Sequence, residues 1–195
     1  FQQYTAALMA KGIEDTALYR HYRLASLNEV GGDPADFAAP PERVHARWRE
    51  AARSWPHTLL ATATHDAKRG EDVRARLHAL SEMPHDWQAA TAAWRRRNRG
   101  HRDDRDGRRM PSANDEYLFY QTVIGAWPPG MRAPDDAFVT RIRDYMRKAA
   151  REAKRATSWW RPDETYEAAL DGFVEATLGD PGFAEAMAPI RERVH

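Results

Sequence analysis

Apolar residues recur at helical spacing along most of this chain. Val44, Trp48, Ala51 and Trp55 fall at i, i+4, i+7 and i+11, which predicts a helix from Pro40-Pro41 to about Trp55, ended by Pro56. Val73, Leu77 and Leu80 mark a second helical face, closed by Met83-Pro84, and Trp87, Ala90 and Trp94 mark a third. Tyr117, Tyr120 and Ile124 give a fourth, before the break at Trp127-Pro128-Pro129-Gly130. Asp135 or Asp136 suits the N-cap of a long helix in which Phe138, Ile142, Tyr145, Met146, Ala149 and Ala153 keep a 3.6-residue period to about Thr157. Beyond Pro162, Leu170, Phe173, Val174 and Thr177 share a face; Gly179 and Pro181 end that helix, and a last short one closes the chain. Residues 58–64 (TLLATAT) break the pattern, and a short run of Thr and small apolar residues predicts a strand. The first 34 residues are less regular. A mildly apolar run at 3–10 is followed by Leu18 and Tyr22 at i, i+4, and then by a Gly- and Pro-rich loop at 28–34. The pattern predicts a mainly α fold with a small number of β-strands near the N-terminal end.

Composition narrows the function classes. The 195 residues are 42% hydrophobic, enough for one core or two small ones. A net charge of +1 argues against a purely electrostatic role on nucleic acid or a membrane. The chain has no cysteine, so disulfides, thiol catalysis and Cys-based metal sites are excluded. No apolar run approaches the roughly 20 residues of a membrane span, and no signal peptide is visible, so a cytoplasmic location is expected. His57 and His65 lack the carboxylate spacing of a metal site, and neither a metal nor a cofactor is expected. The run at 95–109 holds eight Arg and three Asp without an interleaved aromatic ring, so it reads as a solvated loop. Trp159-Trp160 fits either core packing or a sugar-stacking platform.

The chemistry concentrates after the strand candidate, in Thr64-His65-Asp66-Ala67-Lys68-Arg69-Gly70-Glu71-Asp72. Charged residues between a strand and a helix form one βα unit, and barrels and doubly wound sheets place their chemistry at such strand ends. Locally, Asp66 reads first as a cap for the following helix, and otherwise as a carboxylate that stabilises an oxocarbenium-like transition state, with His65 holding a sugar hydroxyl beside it.

The segments Met9 to Arg20, Ser26 to Pro34 and Thr64 to Arg76 together resemble the maltooligosyltrehalose synthases of the α-amylase superfamily. Met9-Ala10-Lys11-Gly12-Ile13-Glu14-Asp15-Thr16-Ala17-Leu18-Tyr19-Arg20 resembles that family's M-A-K-G-x-E-D-T-A-F-Y-R. Ser26-Leu27-Asn28-Glu29-Val30-Gly31-Gly32-Asp33-Pro34 resembles S-L-N-E-V-G-G-D-P, and the segment from Thr64 to Arg76 resembles T-H-D-T-K-R-S-E-D-V-R-A-R. Tyr120-Gln121-Thr122, Gly125-Ala126-Trp127-Pro128, residues 148–159 and Tyr166-Glu167 are similar to later segments.

The resemblance implies an enzyme that converts the reducing-end α-1,4 linkage of a maltooligosaccharide into an α,α-1,1 linkage, by retaining chemistry on a (β/α)8 barrel. It implies that residues 1–82 are the last strand and helix units of that barrel and residues 83–195 a helical extension. Asp66 then corresponds to the third, transition-state-stabilising carboxylate, His65 to a hydroxyl ligand and Lys68 to a reducing-end contact. Lys11 is expected at another strand end facing the same cleft. Glu14, Asp15 and Arg20 also match, and an Asp15–Arg20 pair across one helical turn explains them equally well. The chain departs from the family at Ala67, Gly70 and Leu18, which removes two hydroxyls and one aromatic ring.

No segment matches the contexts of the nucleophile and the acid/base, two carboxylates that retaining chemistry sets about 5–5.5 Å apart. They are expected upstream of Phe1, and the chain by itself is expected to lack the full activity. The expected partner is a maltooligosaccharide, with neither nucleic acid nor membrane, and association through exposed surfaces stays open. The alternatives are another glucanotransferase or hydrolase of the superfamily, and a helical nucleic-acid-binding or interaction domain that uses the Arg-rich run.

Overall fold

In the computed structural model, residues 1–33 and 35–195 are described. They hold eight α-helices: α1 Gln2–Ala7, α2 Pro41–Ser54, α3 Glu71–Ala79, α4 Pro84–Arg97, α5 Ala113–Ala126, α6 Asp136–Ala153, α7 Glu164–Leu178 and α8 Pro181–Val194. Side-chain caps start the later ones. Ser112 accepts from the Asp115 amide at 3.1 Å, Asp135 from Phe138 at 2.7 Å, Asp163 from Tyr166 at 2.9 Å and Asp180 from Gly182 at 3.0 Å. Pro41, Pro84 and Pro181 sit at first helical positions, where no amide donor is needed. The expected loop at 28–34 is irregular over 28–33, and Pro34 lies outside the described residues.

Helix α5 is the axis of the core. Leu118, Phe119, Tyr120, Val123 and Ile124 have no exposed surface, so this helix is buried nearly all round. Phe173 of α7 packs edge-on against Phe119, with ring centroids 5.3 Å apart. Trp94 of α4 meets Tyr120 at 5.5 Å and Phe183 of α8 at 6.0 Å. Helices α3 and α6 close the remaining sides with Leu77, Ile142 and Met146. Each such side chain contributes roughly 1.5–3 kcal/mol by leaving water, which is why the segments with the strongest helical period form this body.

The N-terminal segment is fastened to the same body. Tyr19, Tyr22, Leu24 and Ala25 join the core, and the Ala25 amide donates to Gln121 Oε1 at 2.7 Å. Arg20 donates to the Ala153 carbonyl at 2.6 Å, so the expected Asp15–Arg20 pair does not form.

The expected β-strands and barrel portion are absent. Among the described residues there is no strand and no sheet, only an isolated bridge between Asp103 and Met110. Residues 58–64 are irregular, with Leu59 97% and Leu60 92% exposed. A strand is held by a neighbour that takes its backbone hydrogen bonds, and no such neighbour lies among the described residues. Helix α2 forms as its period predicts, yet none of its residues is buried. The described residues contain no helix long and apolar enough to cross a membrane.

Candidate functional site

Past α1 the chain winds into a π-helical turn, Leu8–Glu14, in which the Asp15 amide donates to the Ala10 carbonyl at 2.9 Å. This wider turn carries Lys11, which the strand-end expectation misplaced. Winding near 4.4 residues per turn sets position i almost directly over i+4, and such turns recur at functional sites. Lys11 Nζ accordingly donates to Asp15 Oδ2 at 2.6 Å.

The other Asp15 oxygen accepts from Lys68 Nζ at 2.7 Å, across 53 residues of sequence. One carboxylate thus joins two of the residues singled out in the sequence. Burial pushes the Asp15 carboxyl up, but the hydrogen bonds from Lys11 and Lys68 outweigh that and hold it below the usual carboxylate range. The same hydrogen bond, with the Asp15 charge, raises the Lys11 ammonium. Lys68 is further held over the Tyr19 ring, 5.3 Å from its centroid, and its side chain is mostly buried. Lys11 remains exposed and can donate outward.

Glu29 fixes the turn that carries the His-Asp pair. Its carboxylate accepts from the Lys68 amide at 2.6 Å and the Arg69 amide at 3.2 Å, with Arg74 at 3.5 Å. Arg69 donates to the Ala25 carbonyl at 2.9 Å and to the Tyr145 hydroxyl at 2.7 Å, which anchors the turn to α6. Asn28, almost fully buried, donates to the carbonyls of Leu18 and His21 at 2.8 and 2.5 Å and locks the loop that presents Glu29.

His65 and Asp66 stand at the tip of this turn. His65 Nε2 lies 3.4 Å from Asp66 Oδ2, and both side chains are largely exposed. Asp66 does not cap α3, whose N-cap is Gly70 without a side-chain hydrogen bond. The structure therefore gathers Lys11 and Lys68 on Asp15, and leaves His65 and Asp66 beside them facing solvent. Asp66 is near enough for its charge to act on the Lys11 ammonium.

Sequence reasoning left Asp15 and Glu29 out of the site. The i, i+4 spacing from Lys11 was the available signal for Asp15. Nothing local marks Glu29, because its partners lie 39 to 45 residues away. Chemically the arrangement offers ammonium and imidazole donors together with the exposed Asp66 carboxylate, a set suited to hydroxyl groups. Among the described residues no group of three His, Asp or Glu is placed to hold a metal ion.

The Arg-rich run is not a solvated loop. Arg97 pairs with Asp180 at 2.7 Å, Arg108 pairs with Asp163 at 2.7 Å, and Arg95, Arg102 and Arg109 converge on Glu116 of α5.

Comparison with known proteins found relatives that match nearly the whole chain. No family model matches the chain. It is 37% identical over 187 residues to the "Putative maltooligosyl trehalose synthase" of Mycobacterium tuberculosis strain H37Rv, covering 92% of this chain and 22% of that protein. The protein of the same description from strain CDC 1551 / Oshkosh matches equally, at 37% identity. Among solved structures, a maltooligosyl trehalose synthase superposes with a TM-score of 0.88 at 34% identity, over 99% of this chain and 25% of the other. The maltooligosyltrehalose synthase of Arthrobacter ramosus superposes with a TM-score of 0.81 at 34% identity, over 99% of this chain and 23% of the other. By sequence and fold, the chain is homologous to one segment of the maltooligosyl trehalose synthases, and it spans about a quarter of their length.

Proposed function

We propose that this chain is the part of a maltooligosyl trehalose synthase, an isomerase, that presents Asp66, His65, Lys68 and Lys11 to the reducing end of a maltooligosaccharide. The reaction moves the terminal α-1,4 linkage to α,α-1,1 by cleavage and re-ligation. The observation that carries this reading is the joining of Lys11 and Lys68 on Asp15, beside the exposed His65–Asp66 pair. Two of the segments that resemble the family, far apart in sequence, supply this cluster, and the third supplies Glu29, which holds its turn.

In this reading Asp66 is catalytic. As the free carboxylate of the cluster it stabilises positive charge developing on the glucosyl ring. Lys11 donates to the hydroxyls of the ring that must turn over before re-ligation, and His65 donates to, or accepts from, them. Lys68 holds its ammonium in a fixed place, since Asp15 and the Tyr19 face restrict it. Two carboxylates beside the cluster are already engaged: Asp15 by two ammonium groups, and Glu29 by three amides and Arg74. Neither is free to attack an anomeric carbon or protonate a leaving oxygen. The chain therefore contributes binding and charge stabilisation, and bond cleavage requires a further pair of carboxylates.

The test is calorimetric titration with maltopentaose, together with an assay for loss of reducing ends. Expected are measurable binding, a weakening on the order of tenfold in Lys68→Ala (about 1.4 kcal/mol), and no loss of reducing ends. Turnover by the chain alone would overturn the assignment of bond cleavage to other carboxylates. Absence of binding would overturn the reading itself.

A further inference from the structure

Trp159 and Trp160 lie in the connection between α6 and α7, and neither is core: Trp159 is 48% exposed and Trp160 is 75% exposed. Exposed tryptophans usually sit on loose backbone, but this connection is pinned throughout. The Ser158 amide donates to the Arg161 carbonyl at 3.2 Å, and the Arg161 amide donates back to Ser158 Oγ at 3.1 Å. Thr157 Oγ1 donates to Glu167 Oε1 at 2.5 Å and accepts from the Asp163 amide at 3.0 Å. Lys154 ends α6 with φ of 52°, a left-handed conformation that glycine usually occupies. It places Lys154 Nζ 5.2 Å from the centroid of the Trp160 ring. Trp159 is tethered separately, by its indole N–H donating to Glu152 at 3.0 Å and by Arg151 lying 4.9 Å over its ring. The fold thus leaves a large apolar ring in water on a pinned turn, with Lys154 over its face, an arrangement that costs hydration and backbone entropy and gains no core burial.

The Trp pair is connected to the candidate site. Lys154 Nζ donates to Thr16 Oγ1 at 2.7 Å, and that hydroxyl donates to the Lys11 carbonyl at 2.6 Å. Glu152, which holds Trp159, acts electrostatically on the Lys11 ammonium. Beside Trp160 opens a cleft of about 740 Å³, lined by Lys154, Arg155, Ser158, Arg161, Asp163 and others. Its lining mixes cationic donors with carboxylate and hydroxyl acceptors. Such a mixture suits a neutral polyhydroxylated ligand better than an anion, which the carboxylates repel. A flat indole face complements the C–H face of a pyranose, as it does other rings with one apolar side.

We propose that Trp160, backed by Lys154, is a stacking platform for a glucosyl unit of an α-1,4-glucan, in line with the Lys11–Asp15–Lys68 cluster. This inference rests on the maltooligosaccharide reading above and extends it, because it assigns a second sugar contact to a turn far in sequence from the His-Asp pair. The platform holds a glucosyl unit away from the reducing end, while the cluster holds the terminal one.

The experiment is calorimetric titration of the chain with maltopentaose, for the unaltered protein and for Trp160→Ala, Trp160→Phe and Lys68→Ala, with circular dichroism to confirm helix content. Trp160→Ala should weaken binding on the order of tenfold, and Trp160→Phe should keep most of the affinity because a smaller ring still stacks. If Trp160→Ala binds as tightly as the unaltered chain while Lys68→Ala is weakened, the platform is overturned and the function reading stands. If the unaltered chain does not bind maltopentaose, both fall. Competition of inorganic phosphate with maltopentaose, abolished by Trp160→Ala, would make the cleft an anion site and overturn the sugar assignment.

Discussion

Glu116 has no exposed surface, and its carboxylate is where the Arg-rich segment attaches to the core. Arg95 approaches it at 3.9 Å, Arg102 at 3.5 Å and Arg109 closer still, while the Tyr120 hydroxyl donates to it at 2.7 Å. One buried negative charge thus holds three guanidinium groups together. Replacing Glu116 by Gln keeps the shape but leaves three cations in mutual repulsion around a neutral amide. Removing one partner of a buried pair costs about 3–5 kcal/mol. Arg95 and Arg109 are over a third exposed and screened by water, so the lower end, about 3 kcal/mol, is expected. Urea unfolding followed by circular dichroism measures it, and a loss below about 1 kcal/mol would show that the cluster is incidental. This residue also shows where sequence reading stopped. The density of arginine at 95–109 was plain, but its neutralising carboxylate lies on another helix. A run judged only by its own residues therefore looked solvated. The same separation hid Glu29 from the candidate site, while Asp15, four residues from Lys11, was legible in principle.

At the scale of elements, α3 and α5 approach so closely at Gly125 that a Cβ there would lie 2.8 Å from Val73 Cγ1 and 3.3 Å from Leu77 Cγ. Gly125→Ala sets two effects against each other. Alanine within a helix gains about 1 kcal/mol over glycine in propensity, whereas overpacking a well-filled contact costs typically 1–3 kcal/mol. Val73 is β-branched and stiff, so the methyl must push the helices apart, and a net loss of about 1–2 kcal/mol is expected. The double variant Val73→Ala, Gly125→Ala should recover most of it; equal stability of Gly125→Ala and the unaltered chain would sink the close-approach argument. Helices such as α5 and α6 were legible because their apolar period is matched by neighbours within the same residues. Residues 58–64 failed as a strand for the complementary reason. Strand propensity is context-dependent, and Leu59 and Leu60 meet no partner edge among the described residues. Lys11 lies in a π-helical turn and not at the expected strand end, since such a turn has no periodic signature that a short apolar run could reveal.

For the molecule as a whole, four carboxylates that tie elements together titrate in one direction. Hydrogen bonds from Arg151 hold the Glu167 carboxyl below its ordinary 4.5, and so link α6 to α7. The Tyr166 amide and Arg108 lower Asp163, and Arg97 lowers Asp180, each from an ordinary 3.8. Asp15, despite burial that opposes the change, is lowered by its two lysines. A group whose folded value lies below its unfolded value binds its proton later in the folded state. The stability it contributes is fully present above the unfolded value and is lost as pH falls through the folded one. The part of the urea midpoint due to these carboxylates should therefore stay level from about pH 7 to about pH 5 and drop steeply from about pH 4 downward. Salt should blunt the part due to exposed pairs such as Arg97–Asp180 more than the part due to Glu167, whose side chain is only 10% exposed. Glu167→Gln should start from a lower midpoint at neutral pH and show a shallower acid slope, because one of the groups that lose on protonation is already gone. A midpoint unchanged down to about pH 3 in the unaltered chain, or an equally steep slope in Glu167→Gln, would mean that these carboxylates ride on a fold held by the α5 core alone.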